Sequence, residues 1–65
     1  MKIKELRKEA NLTQVQVAET LGVSQSTVCS WELGDAMPRA ELLPKLAALF
    51  KCTIDALFGR DQNTA

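Results

Sequence analysis

Apolar residues recur along positions 1–59 at intervals of three and four, and alternation of apolar and polar residues is almost absent. This spacing is typical of amphipathic helices, because residues three and four apart lie on one face of a helix. Ile3, Leu6 and Ala10 mark the buried face of a first helix, which Asn11 ends. The pattern therefore predicts an all-α fold.

Two further helices are predicted close together in the middle of the chain. Thr13 and Gln16 have the spacing of a capping box at the start of a second helix, which Gly22 ends with a left-handed turn. Ser24 is a favourable N-cap for a third helix that continues to Leu33, with a glycine beyond its end. This stretch therefore predicts a helix-turn-helix.

A fourth helix has an apolar face of five residues, Leu42, Leu43, Leu46, Ala47 and Phe50. Proline is tolerated only in a first helical turn, so Pro44 predicts that regular helix begins between Ala40 and Pro44. Thr53 can cap a short fifth helix over residues 54–58. The polar residues 60–65 have nothing to bury, and we expect them to form a mobile tail.

Composition adds limits on the class of protein. The chain has 65 residues, of which 46% are apolar and 25% charged, as in one small globular domain, here 1–59. No apolar run approaches the roughly 20 residues that span a bilayer, and the charged start does not resemble a secretory signal, which predicts a cytoplasmic protein. Because there is no histidine and Cys29 and Cys52 lack metal-binding spacing, we expect neither a metal nor a cofactor.

Four runs follow one another along the chain: LTQ, VAETLGVSQSTVCSWE, LPKLAALF and TIDALFG. Together they resemble the phage-repressor and Cro type of helix-turn-helix domain, also called the xenobiotic-response-element type, over residues 1–59. The resemblance implies a compact five-helix lambda-repressor-like domain, usually from a bacterium or a phage. Its third helix, 24–33, is expected to enter the major groove of double-stranded operator DNA as part of a transcriptional regulator, and above all a repressor.

The helical phase of the third helix separates its two faces. Val28 and Trp31 are large and apolar and define the direction of the core, so Ser26 and Ser30 point away from it, and Gln25 lies on the projecting first turn. Glutamine pairs with adenine through two hydrogen bonds, and serine donates or accepts at several base edges. We predict that Gln25, Ser26 and Ser30 contact bases; the alternative is an ordinary solvated surface.

The resemblance also implies phosphate contacts. Gln14 stands just inside the second helix, where unpaired backbone N–H groups and the positive end of the helix dipole attract anions. Ser24 and Arg39 are further phosphate candidates; the alternative for Arg39 is an exposed solubilising charge. Because phosphates carry no sequence information, loss of Gln14 is expected to weaken binding to all sequences alike.

A buried ion pair between Arg7 and Glu32 is implied by the same resemblance. Arginine can satisfy a carboxylate with two parallel N–H bonds, which suits it to such a pair. We expect the pair to orient the third helix; the alternative is two separate solvated charges.

The charge balance departs from that of a typical DNA-binding domain. There are eight basic and eight acidic residues, no lysine or arginine lies between Lys8 and Arg39, and Asp35 stands where relatives often have a basic residue. We therefore expect modest affinity per monomer and a homodimer on DNA. Its contact is predicted around the fifth helix, with Ile54, Leu57 and Phe58 as candidates that can instead belong to the core.

The low positive charge keeps a second function open, a protein-protein interaction module such as an antirepressor. Val15, Cys29, Leu33 and Met37 would form its apolar patch, and Val15 stands where relatives generally have a charged residue. An enzyme is not expected, because the chain has no histidine, no glycine-rich phosphate loop and no paired carboxylates.

Overall fold

The computed structural model describes residues 1–59, which contain five α-helices and no strand. The helices are α1 (Ile3–Glu9), α2 (Gln14–Leu21), α3 (Gln25–Leu33), α4 (Leu43–Phe50) and α5 (Ile54–Leu57), and a 3₁₀ turn, Ala40–Leu42, precedes α4. The prediction of an all-α, five-helix fold is confirmed. The predicted mobility of residues 60–65 lies outside the described residues.

Local side-chain hydrogen bonds set where α2 and α3 begin. The Thr13 hydroxyl accepts the Gln16 N–H at 3.1 Å, and the Gln16 amide oxygen accepts the Thr13 N–H at 2.8 Å, which completes the predicted capping box. The Ser24 hydroxyl accepts the Thr27 N–H at 3.1 Å at the start of α3. Gly22 separates the two helices with a φ of +73°, which a residue with a Cβ adopts only at a cost.

The second half of the domain follows its predicted boundaries closely. Helix α4 begins at Leu43 and has Pro44 in its first turn, inside the predicted window. The Thr53 hydroxyl accepts the Ala56 N–H at 3.0 Å and caps α5. Helix α5 ends at Leu57, one residue earlier than predicted, because Phe58 already serves as its C-cap.

One core holds the helices together. Ile3, Val17, Val28, Leu46 and Leu57 have no exposed surface, and Trp31 of α3 is only 5% exposed, as expected for a core residue. Burying an aliphatic side chain of this size contributes about 1.5–3 kcal/mol. The core therefore sets the rotation of α3 about its axis.

Leu57 requires a correction, because it was one of the candidates for the dimer contact. It is 0% exposed and packs in the core, so it has no surface to offer a partner. Its carbonyl also accepts the Lys2 N–H at 2.8 Å, which joins the start of α1 to the end of α5. Ile54, 40% exposed, and the half-buried Phe58 remain as candidates.

The length of the helices and the burial of Cys52 are further features of residues 1–59. None of their helices is long and apolar enough to cross a membrane. Cys52 is half-buried and packs against the core, as a small hydrophobic residue does.

Candidate nucleic-acid interface

The outer side of α3 is polar at its N-terminal end. Gln25 and Ser26 are exposed, whereas Ser30, one turn further on, is half-buried. Val28 and Trp31 lie in the core on the opposite side. We call Gln25, Ser26 and Ser30 the reading face after their predicted role; the first two are the more accessible.

Arg7 and Glu32, the residues of the expected ion pair, are in contact behind this face. Arg7 Nε donates to Glu32 Oε2 at 2.6 Å, and Arg7 Nη2 donates to Glu32 Oε1 at 3.2 Å. Their side chains are 12% and 4% exposed, so the pair is shielded from water. Arg7 Nη1 also donates to the Leu12 carbonyl at 2.8 Å. One guanidinium thus connects α1, the segment before α2, and α3.

The pair keeps both groups charged. Burial alone would raise the pKa of Glu32, but hydrogen bonds from Arg7 and Gln14, together with the positive charges of Arg7 and Lys4, outweigh it and hold that pKa below its ordinary value. The hydrogen bond to Glu32 raises the pKa of Arg7, against the opposing effect of burial. Glu32 is therefore a carboxylate at neutral pH and can only accept hydrogen bonds.

Gln14 links this ion pair to the reading face. Its Nε2 donates to Glu32 Oε1 at 3.1 Å, and its Oε1 accepts from Gln25 Nε2 at 3.3 Å. We call the three residues Glu32, Gln14 and Gln25 the amide relay. Neither bond is predictable from the sequence, because the bonds join residues 18 and 11 positions apart and no local spacing rule covers such pairs.

The phosphate candidates occupy different settings. Gln14 is the first residue of α2 and is half-buried within the relay, and Ser24 immediately precedes α3. The Ser24 hydroxyl also lies 2.9 Å from the Thr27 hydroxyl, so it is engaged in capping. The Arg39 side chain is 74% exposed and lies 3.5 Å from the Glu41 carboxylate. Phosphate binding by these three residues stays a prediction.

Positive charge is scarce at this surface. Arg7 is engaged with Glu32, and the exposed Asp35 lies just after Gly34, the C-cap of α3. Apart from the exposed Arg39, the candidate groups for binding an anion are neutral donors and the N-terminal ends of α2 and α3. Among residues 1–59, no group of three histidine, cysteine or acidic side chains is placed to hold a metal ion.

The residues of the proposed apolar patch are accessible to different degrees. Leu33 is 70% exposed, Met37 63% and Val15 43%, whereas Cys29 is half-buried. Single exposed apolar residues are common on monomers, so these values alone define no interface.

Comparison with known proteins identifies the family to which this chain belongs. A helix-turn-helix family model matches residues 3–57, and the chain therefore belongs to the Cro and C1 type of helix-turn-helix proteins. The resemblance noted from the sequence is confirmed. No solved structure matches the chain significantly.

Several curated proteins are similar to nearly the whole chain. The transcriptional activator BcrR of Enterococcus faecalis is 39% identical over 94% of the chain, and the transcriptional regulator AnsR of Bacillus subtilis is 39% identical over 95%. The cryptic phage CTXphi transcriptional repressor RstR of Vibrio cholerae is 41% identical over 97%. The chain spans only 30%, 53% and 62% of these three relatives, respectively.

Proposed function

We propose that this chain is a sequence-specific DNA-binding transcriptional regulator that reads the major groove of double-stranded operator DNA with α3. The observation that carries the proposal is the position of Gln25. Its side chain is exposed on the first turn of α3, yet its amide is held from behind by Gln14 of α2. In helix-turn-helix proteins the N-terminal residues of the second helix contact base edges, and such residues gain from being oriented in advance.

The contacts divide into two kinds. Gln25 pairs with adenine through its amide, and the hydroxyls of Ser26 and Ser30 contact neighbouring base edges. Gln14, Ser24 and Arg39 contact phosphates, which position the protein without selecting a sequence. Since most of these groups are neutral, affinity is modest and depends less on salt than it does in basic relatives.

Two protomers bind one operator in this proposal. A small domain with no net charge makes few contacts alone, and a two-fold dimer doubles them. Ile54 and Phe58, at either end of α5, supply the contact between protomers, and the two α3 helices lie about 34 Å apart to meet successive turns of the major groove. Sedimentation of the saturated complex tests this arrangement, and one protomer per operator would exclude it.

The direction of regulation is a separate prediction. One relative is named an activator and another a phage repressor. We predict repression in the cytoplasm, where bacterial and phage genes are transcribed, by occupation of an operator that overlaps a promoter. A reporter gene placed behind the selected operator should lose expression when the chain is produced, and increased expression would reverse the assignment.

Selection of bound sequences from random duplex DNA at low salt tests the proposal directly. The wild-type chain should enrich a palindromic site. Gln25→Ala should cost about 1–3 kcal/mol and lose the preference at one base pair per half-site, with folding intact. Lys45→Ala is the matched control, since Lys45 is exposed on α4 and belongs to neither group of contacts.

Failure of this selection would favour the protein-protein interaction module instead. If the wild-type chain enriches no sequence even at low salt, the DNA-binding proposal should be abandoned. The names of the relatives, all transcriptional regulators, do not favour the module.

A further inference from the structure

We infer that Glu32, although buried behind the reading face, determines which base Gln25 accepts, because it fixes the direction of the Gln14 amide and through it that of Gln25. The inference rests on the proposed function and extends it to a residue that does not touch DNA. Glu32 is in this view a positioning residue for base selection, beyond its role as the partner of Arg7.

The hydrogen bond between Glu32 and Gln14 fixes the orientation of the Gln14 amide. The two carboxylate oxygens of Glu32 lie within 2.6–3.2 Å of Arg7 and Gln14 donors, and its side chain is 4% exposed. A carboxylate has no hydrogen to donate, so the Gln14 amide must present its NH2 group to Glu32. The chemistry of the acceptor therefore decides which way the Gln14 amide faces.

The orientation of the Gln14 amide in turn fixes that of the Gln25 amide. With its nitrogen toward Glu32, Gln14 has its Oε1 on the other side, where it lies 3.3 Å from Gln25 Nε2. A carbonyl oxygen can only accept, so Gln25 must commit one of its two N–H groups to Gln14. The direction of both amides thus follows from one buried negative charge.

The groups of Gln25 that remain free determine which base it can bind. Gln25 has one N–H and its Oε1 left to meet the DNA, and this pair complements the N7 acceptor and N6 donor of adenine. Guanine presents two acceptors, N7 and O6, which a glutamine satisfies best by donating both hydrogens of its NH2 group. Because one hydrogen is committed to Gln14, the relay favours adenine over guanine.

Gln14 has two possible roles, in phosphate binding alone or also in base selection. A glutamine that only holds a phosphate weakens binding to all sequences equally when it is lost. A glutamine in the relay has a second N–H for the phosphate, so its loss weakens binding overall and also relaxes the choice of base at the position that Gln25 contacts. The two roles therefore give different patterns across a set of operators.

The experiment measures the ratio of dissociation constants for guanine and adenine at that position, with the full chain and operators taken from the selection. In Gln14→Met, a side chain of similar length has no amide, and Gln25 regains its second N–H. We expect the ratio to fall about tenfold, within the discrimination that one bidentate pair supplies, while ratios at other positions stay constant. Lys45→Ala should leave every ratio unchanged.

Glu32→Gln tests the source of the direction. Its neutral amide can donate as well as accept, so it no longer decides which way Gln14 faces, and we expect the same loss of discrimination. Circular dichroism and thermal melting establish that the variant is folded. If it is not, Arg7→Met/Glu32→Leu replaces it, since removing both charges leaves neither one buried alone.

The outcomes separate this inference from the proposed function. If the wild-type chain shows no sequence preference, the proposed function and the inference about Glu32 are both refuted. If the wild-type chain selects an operator but Gln14→Met or the folded Glu32 variant only weakens binding uniformly, the relay does not select the base and operator binding stands. If Gln25→Ala leaves the selected sequence unchanged, the relay has no base to act on, and the inference is again overturned.

Discussion

Replacing Arg7 with methionine tests the ion pair most directly. Methionine keeps an unbranched chain but removes the guanidinium that donates twice to Glu32. Because the Glu32 side chain is 4% exposed, water cannot replace those donors without opening the structure. Leaving one partner of a buried pair alone costs roughly 3–5 kcal/mol. A chain of this length has a total stability of about 3–10 kcal/mol, so Arg7→Met should be close to unfolding.

The double variant Arg7→Met/Glu32→Leu separates the cost of an unpaired charge from the net contribution of the pair. A leucine at position 32 buries no charge, and the half-buried Gln14 can turn its amide to water. We expect the double variant to recover most of the stability that Arg7→Met loses, as other buried pairs do when both partners become apolar. A double-mutant cycle then gives the coupling between the two positions.

Urea unfolding provides the measurement, followed by the fluorescence of Trp31, the single tryptophan, which is 5% exposed. Burial is the largest single influence on the pKa of Glu32 and acts to raise it, so in Arg7→Met protonation should relieve part of the penalty as the pH falls. The gap between wild type and variant should therefore narrow in acid. A loss below about 1 kcal/mol at pH 7, with no change in that gap, would show that the two residues act as an ordinary solvated pair.

The pKa of Glu32 in the folded state lies below its ordinary value of 4.5, so the charged Glu32 contributes its full stabilisation above pH 4.5 and loses it as the pH falls through the lower pKa. Urea midpoints measured from pH 7 to pH 2 should show this loss in the wild type and a smaller loss in Glu32→Gln. Asp35→Lys should raise affinity for operator DNA and steepen the slope of log K against log salt by about 0.9 for each added phosphate contact, and an unchanged slope would place residue 35 away from the backbone. Gly22→Ala should lower stability by about 1–2 kcal/mol in thermal melts, because the φ of residue 22 is +73°. The new Cβ meets no other atom within 4 Å, so the loss comes from backbone strain alone, and an unchanged melting temperature would contradict that cause.

The helix boundaries and the buried side of α3 follow from local rules that can be applied to the sequence. Thr13, Ser24 and Thr53 cap the helices that they were predicted to cap, because a capping side chain reaches a backbone N–H only three residues away. The phase of Val28 and Trp31 predicted the buried side of α3, since successive residues of a helix are rotated by about 100°. Both rules act within one or two turns of the chain.

The hydrogen bonds of Gln14 and the burial of Leu57 depend on how the helices pack, which no local pattern in the sequence predicts. A four-residue helix is too short for its periodicity to separate core from contact surface. Leu57 is buried because it joins a core that residues of the other helices build, and its carbonyl accepts the Lys2 N–H. Gln14 meets Glu32 and Gln25 because α2 packs on α3 at the angle that the turn around Gly22 allows. The amide relay depends on distances between residues far apart in the chain, and those distances exist only after the helices have packed around a common core.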